Sequence, residues 1–192
     1  MPIRIAILGG PRCGKTTLIQ QLYVDMKIKG LNVGMATEYS TEYLRDKGPI
    51  ENLAEQYGIY LGQMLLENSL NSFDYALTDY ATFVPYIYAR FMSGLNGRSD
   101  KDIEIVKDLY ALALKDIKKY NHIFFVPREF GYAQDGVRWQ DEDLAKSVDS
   151  TIKGFLDDEN VSYTTINGDT KERAKKILEI LGFEDETLIK DA

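Results

Sequence analysis

Apolar residues along this chain gather in short unbroken runs, separated by stretches in which they recur every three or four positions. The first run, IRIAIL at residues 3–8, is apolar nearly throughout, as expected of a strand covered on both faces. Leu18, Leu22 and Met26 follow at four-residue spacing, predicting a helix from Lys15 to about Lys29 that Gly30 ends. LNVGMAT (31–37) reads as a second strand opening into the polar segment EYSTEYLRDKGP, and a long helix is expected from about Glu51 to Ser69. DYALTD (74–79) reads as a third strand, followed by a helical stretch at 83–95 whose Pro85 suits a first turn, where its missing N–H costs little.

Beyond the turn LNGRSD, Ser99 is a fair N-cap for a helix over 101–120, with Ile103, Val106, Tyr110, Ala113 and Ile117 along one stripe. HIFFV (122–126) is the fourth expected strand, ended by Pro127; residues 127–140 look loop-like, and a helix follows from Asp141 to about Asp158. VSYTTI (161–166) supplies a fifth strand and DTKERAKKILEILG (169–182) the last helix. Strands separated by helices predict an α/β fold: a three-layer arrangement with a five-stranded parallel sheet and helices on both faces. One domain is expected over 1–183, with an acidic tail at 184–192.

Composition narrows this little. Of 192 residues, 44% are hydrophobic and 28% charged, which suits a globular domain. The opening MPIRIAILGG reads as a strand running into a loop rather than as a secretory leader. With one cysteine, Cys13, and one histidine, His122, neither an internal disulfide nor a Cys/His zinc site can be built. A cytoplasmic protein acting on a small molecule is the expectation. The net charge of −7 argues against a nucleic-acid partner, because backbone phosphates call for a basic groove.

Candidate chemistry concentrates at GGPRCGKTT, residues 9–17, where Gly9, Gly14, Lys15 and Thr16 take the Gly-x4-Gly-Lys-Thr spacing between a strand and a helix. Successive backbone N–H groups of such a loop converge on phosphate oxygens, so Gly9, Gly10, Pro11, Arg12, Cys13, Gly14, Lys15, Thr16 and Thr17 are assigned to nucleotide binding. Lys15 would reach the terminal phosphates of ATP and the Thr16 hydroxyl would ligate Mg2+. Cys13 stands at a helix N-terminus, which favours a thiolate and predicts some sensitivity to thiol reagents; a tolerated small residue is the plainer reading.

Three further stretches bear on what the phosphate loop serves. Asp79 ends the third strand, where a carboxylate can join a Mg2+ shell or deprotonate an acceptor, or simply cap the next helix. Glu38 ends the second strand, on the edge where open α/β sheets bind ligands, and could contact an acceptor. Glu42 either joins it or pairs with Arg45 one helical turn away. Arg128 and Arg138 flank a glycine-containing segment after the fourth strand, as the arginines of a closing lid would, or as solvated surface residues. Gln63, four residues before Glu67, could read a base edge or line a core pocket.

GGPRCGKTTL, EYSTEYL, LTDY, QDGVRWQDED and YTTINGDTKERAKKIL, in this order, resemble the P-loop kinase-like domains grouped with the nicotinamide riboside kinase domain of bacterial NAD regulators. That resemblance implies ATP on the phosphate loop and a nucleoside- or nucleotide-like acceptor over strands two and three. It implies Asp79 as metal or base carboxylate, Glu38 as acceptor contact, Arg128 and Arg138 as lid groups, and Asn167, Gly168 and Asp169 near the adenine; Glu42, Gln63 and Tyr80 are further acceptor-side candidates. Tyr80 departs from thymidylate and deoxynucleoside kinases, which place an arginine after the acid. The leading expectation is thus an ATP-dependent small-molecule kinase. An acceptor-independent NTPase acting on a protein partner is the alternative, and a kinase of nucleic-acid ends a third.

Overall fold

The computed structural model describes residues 1–95, 99–129 and 142–183. At its centre is β1 (Ile3–Leu8), which pairs in parallel with β3 (Tyr75–Asp79) on one side and β4 (His122–Phe125) on the other. β2 (Val33–Ala36) adds outside β3, and the short β5 (Thr164–Thr165) outside β4, giving the order β2-β3-β1-β4-β5. All four pairings are parallel, so every strand ends on the same edge. Register sets Ile7 opposite both Asp79 and Phe124, and Ala36 opposite Thr78.

Side-chain alternation along β1 divides the interior in two. Ile5 and Ile7 face α1 (Lys15–Ile28) and α7 (Thr170–Ile180), packing with Leu18, Leu22, Ile177 and Phe124. Ala6 and Leu8 belong to the opposite core, with α3 (Glu55–Asn68), α4 (Val84–Leu95), α5 (Asp100–Asp116) and α6 (Glu142–Asp158). No helix of the described residues is long and apolar enough to cross a membrane.

Several boundaries differ from expectation. Residues 38–49 contain a helix, α2 (Tyr39–Lys47), stopped by Gly48 at φ 84°. Polar composition hid it: Ser40 alone in this helix is buried. On α5 the buried line runs Ile105, Leu109, Ala113 and Asp116, whereas Ile103 is 37% exposed, so the expected stripe is rotated. The helix also gives way to a 3-10 turn at Ile117–Lys119. Ser99 caps α5 as expected, in a reciprocal capping box with Asp102. The fifth strand is two residues long, shorter than VSYTTI suggested.

A buried polar network lies on the α3 side of the sheet. Glu67, 2% exposed, receives the Tyr120 hydroxyl at 2.9 Å, the Gln63 amide at 3.4 Å and the Arg4 guanidinium at 3.5 Å. Asp116 on α5 faces it as a second acid, itself held by the Tyr60 hydroxyl at 3.1 Å and by Lys119. Burial outweighs the hydrogen bonds and Arg4, and pushes the Glu67 carboxyl up to about 7 from 4.5. Between these values the folded chain holds a proton that the unfolded chain has released, so ionising Glu67 costs folded stability as pH rises. Urea unfolding of the unmodified protein and of Glu67→Gln should therefore diverge with pH: the unmodified protein loses on the order of 3 kcal/mol more from about pH 4.5 to pH 8. Parallel pH profiles for the two proteins would contradict this assignment.

Candidate active site

Four strand ends meet at one edge of the sheet, and the phosphate loop lies among them. Leaving β1, the chain turns through Gly9 at φ 149°, where an added Cβ would stand 2.5 Å from the Val126 carbonyl oxygen and 2.6 Å from the Cys13 sulfur. Only glycine fits that approach, which seats the loop against the end of β4. Arg12 also takes a left-handed conformation, φ 64°. Lys15, 5% exposed, lays its ammonium across the loop and donates to the Gly10 carbonyl at 2.8 Å. Thr17, like Thr16, is exposed at the start of α1. Cys13 is 1% exposed, and this burial shelters its sulfur from the thiol reagents to which the sequence suggested sensitivity.

Asp79 is fully buried at the end of β3, and its Oδ2 accepts the Thr16 hydroxyl at 2.6 Å. The two residues assigned to a metal from sequence are thus in direct contact. Among the described residues no group of three or more His, Cys, Asp or Glu could hold an ion. One carboxylate beside one hydroxyl fits Mg2+, which keeps most of its waters and takes remaining ligands from substrate phosphates. Thr16 and Asp79 would hold it. Tyr80 follows in a strained left-handed conformation, φ 78°, with its ring 5.9 Å from that of Tyr88.

The other sequence candidates divide. Glu38 precedes α2 on the strand end beside β3, and its carboxylate accepts the Ser40 hydroxyl at 2.6 Å. Glu42 is exposed on the first turn of α2. Gln63 is fully buried and engaged within the protein, taking the Tyr39 N–H at 3.0 Å and donating to Glu67. Arg128 sits 3.4 Å from Asp149 on α6. Arg138 lies outside the described residues. Asp169 caps α7 by accepting the Lys171 and Glu172 N–H groups, while the Asn167 carbonyl takes the Lys176 ammonium at 2.8 Å.

Two residues at this edge escaped the sequence analysis. Asp149 accepts a hydrogen bond from the Gly10 N–H while facing Arg128, so a carboxylate of α6 touches the phosphate loop itself. Arg173, 1% exposed, donates to the Cys13 carbonyl at 2.9 Å, the Pro127 carbonyl at 3.0 Å and Glu129 at 2.9 Å. Glu129 in turn takes the Gly168 N–H at 2.7 Å, and this bond, with Arg173, holds its carboxyl below the usual range. The available signal for Arg173 was an arginine four residues before Ile177, on the apolar face of α7. Asp149 gave none, being one acid among many.

The sequence matches the AAA domain family over residues 4–173. The chain belongs to that family. No curated protein matched it. Among solved structures, a NadR protein in complex with NR superposes with a TM-score of 0.75 at 18% identity. That likeness takes in 97% of this chain and 54% of the other, so this AAA domain chain spans about half the length of that protein. A deoxyadenosine kinase from M. mycoides with products dCMP and dCDP bound gives a TM-score of 0.68 at 12% identity, over 93% of this chain and 98% of that one. The same enzyme with bound dATP gives 0.65 at 14%, over 93% and 99%. These likenesses establish the fold, that of P-loop NTPases, and agree with the kinase-like resemblance read from the sequence.

Arg173 unites the phosphate loop, the start of the segment after β4 and, through Glu129, the loop before α7. Arg173→Met should lower unfolding free energy by about 3 kcal/mol, since it leaves one buried and one part-buried carbonyl without this donor. It should also weaken nucleotide binding more than an equally destabilising core truncation such as Ile177→Ala. Urea melts and calorimetric titration with ATP would check both; unchanged affinity would limit Arg173 to a packing role.

Proposed function

We propose that this AAA domain chain is an ATP-dependent kinase that transfers the γ-phosphoryl group to a hydroxyl or phosphate of a nucleoside- or nucleotide-like acceptor. The observation that carries this reading is the Thr16–Asp79 contact, 2.6 Å long, which fixes a buried carboxylate at the phosphate loop and at the end of β3 together. A hydrolase acting on water alone has no need of a second carboxylate at the adjoining strand end, where Glu38 stands. The structural neighbours, one holding NR and the others deoxynucleotides, support an acceptor of this class.

In this reading the loop amides and Lys15 bind the phosphates of ATP, with Lys15 leaving the Gly10 carbonyl for the transferring group. Bound Mg2+ would supply neutralising charge for the phosphates. Asp79 orients or deprotonates the acceptor, with Glu38 as second choice, and Arg128 offsets charge during transfer. Glu42 and Tyr80 complete the acceptor side, with the buried Gln63 acting behind it on the Tyr39 N–H, and Asn167, Gly168 and Asp169 the adenine side. Phosphoryl transfer demands mainly such positioning and electrostatic stabilisation, little covalent chemistry.

ADP release from ATP·Mg2+ should depend on an acceptor drawn from nicotinamide riboside, ribo- and deoxynucleosides and their monophosphates. Lys15→Ala and Asp79→Asn should each lower turnover roughly 100-fold or more. Steady ADP release indifferent to every acceptor would replace the kinase by an NTPase, and transfer to a DNA oligonucleotide would move the acceptor to nucleic acid.

A further inference from the structure

Two junctions carry the acceptor side: β2 to α2, holding Glu38, and β3 to α4, holding Asp79. Each leaves a backbone N–H that its own helix cannot use. Tyr39 opens α2, where the first N–H groups have no partner within the helix, and the preceding Glu38 makes no side-chain cap. The Tyr39 N–H is taken instead by Gln63 of α3, at 3.0 Å. The Thr82 N–H, two residues before α4, is taken by the Tyr120 hydroxyl at 2.8 Å.

Both acceptors lead to one side chain. Since Gln63 presents its oxygen to Tyr39, its amide nitrogen must face an acceptor, and Glu67 supplies one at 3.4 Å. The Tyr120 hydroxyl, which accepts from the Thr82 N–H and also lies 3.0 Å from the Thr82 hydroxyl, donates to Glu67 at 2.9 Å. Glu67 thus accepts from both branches. Arg4, at 3.5 Å, anchors that carboxylate to β1.

We propose that Glu67 is a positioning residue, which through Gln63 and Tyr120 fixes the two junctions bearing Glu38 and Asp79 relative to each other. This rests on the kinase reading for its functional consequence, though not for its structural one.

Site-resolved amide exchange in the full chain tests it without any activity. Gln63→Met should raise exchange at Tyr39 alone, Tyr120→Phe at Thr82 alone, and Glu67→Met at both, each by roughly 10-fold. Tyr60→Phe, which removes a hydroxyl from the same buried region, is the control and should move neither. Should Glu67→Met not fold, Glu67→Gln serves, because one amide oxygen cannot accept from Arg4, Gln63 and Tyr120 together. Exchange at Tyr39 and Thr82 that stays at the control level in the Glu67 variants would overturn the proposal.

Kinetics supply the second readout. The Glu67 variant should raise KM for the acceptor roughly 10-fold and also lower kcat, because Asp79 stands on one of the two junctions, while KM for ATP stays within about 2-fold of the unmodified protein. A loss shared equally by ATP and acceptor would show a merely structural role. Absence of acceptor-dependent turnover in the unmodified protein would sink the kinase reading while the exchange pattern still decides on Glu67.

Discussion

Parallel pairing of β1 with a neighbour on each side is the constraint from which the site follows. A parallel strand must end where its partners end, so the phosphate loop after β1, Asp79 after β3 and Arg128 after β4 emerge together. Register then completes the geometry. Ile7 lies opposite Asp79, and the loop that leaves β1 needs only to turn into α1 for Thr16 to reach that carboxylate. The division of the core follows from the same strand, since Ile5 and Ile7 fix α1 and α7 on one face while Ala6 and Leu8 fix the other helices opposite.

What was legible in the sequence was what local pattern alone decides. IRIAIL, the glycine-lysine-threonine spacing, the Ser99 cap and Pro85 in the first turn each carry their physical reason within a few residues, and each stands where it was expected. α2 did not, because a helix held by contacts from α3 can dispense with an apolar stripe of its own: Tyr39 lies so near Gly62 that a methyl group there would collide with its ring. The α5 stripe was misread because Ile103 and Ile105 offer two registers, and only the packing of neighbouring helices chooses between them. Asp79 could be singled out because it ends a strand; Arg173 and Asp149 could not, because their importance lies in partners distant in sequence.

Buried charge in this protein is spent at junctions. Arg4 with Glu67, and Arg173 with Glu129, pay desolvation that well-packed apolar side chains would avoid. Each of these cations also donates to backbone carbonyls, of Glu67 in one case and of Cys13 and Pro127 in the other. Apolar packing holds helices against a sheet but is tolerant of small slides; directed hydrogen bonds are not. The P-loop fold keeps its polar groups where loops leave the sheet, and leaves the centre of each face to Ile, Leu and Phe.

The Arg173 contact with Cys13 spans 160 residues of chain. The phosphate loop at residues 9–17 is thus tied down by a helix from a distant part of the chain. During synthesis the Cys13 carbonyl can gain its Arg173 donor only after α7 has emerged and docked, 160 residues further along. Whatever rigidity that bond lends the phosphate loop is therefore a property of the assembled chain rather than of the segment that bears the motif.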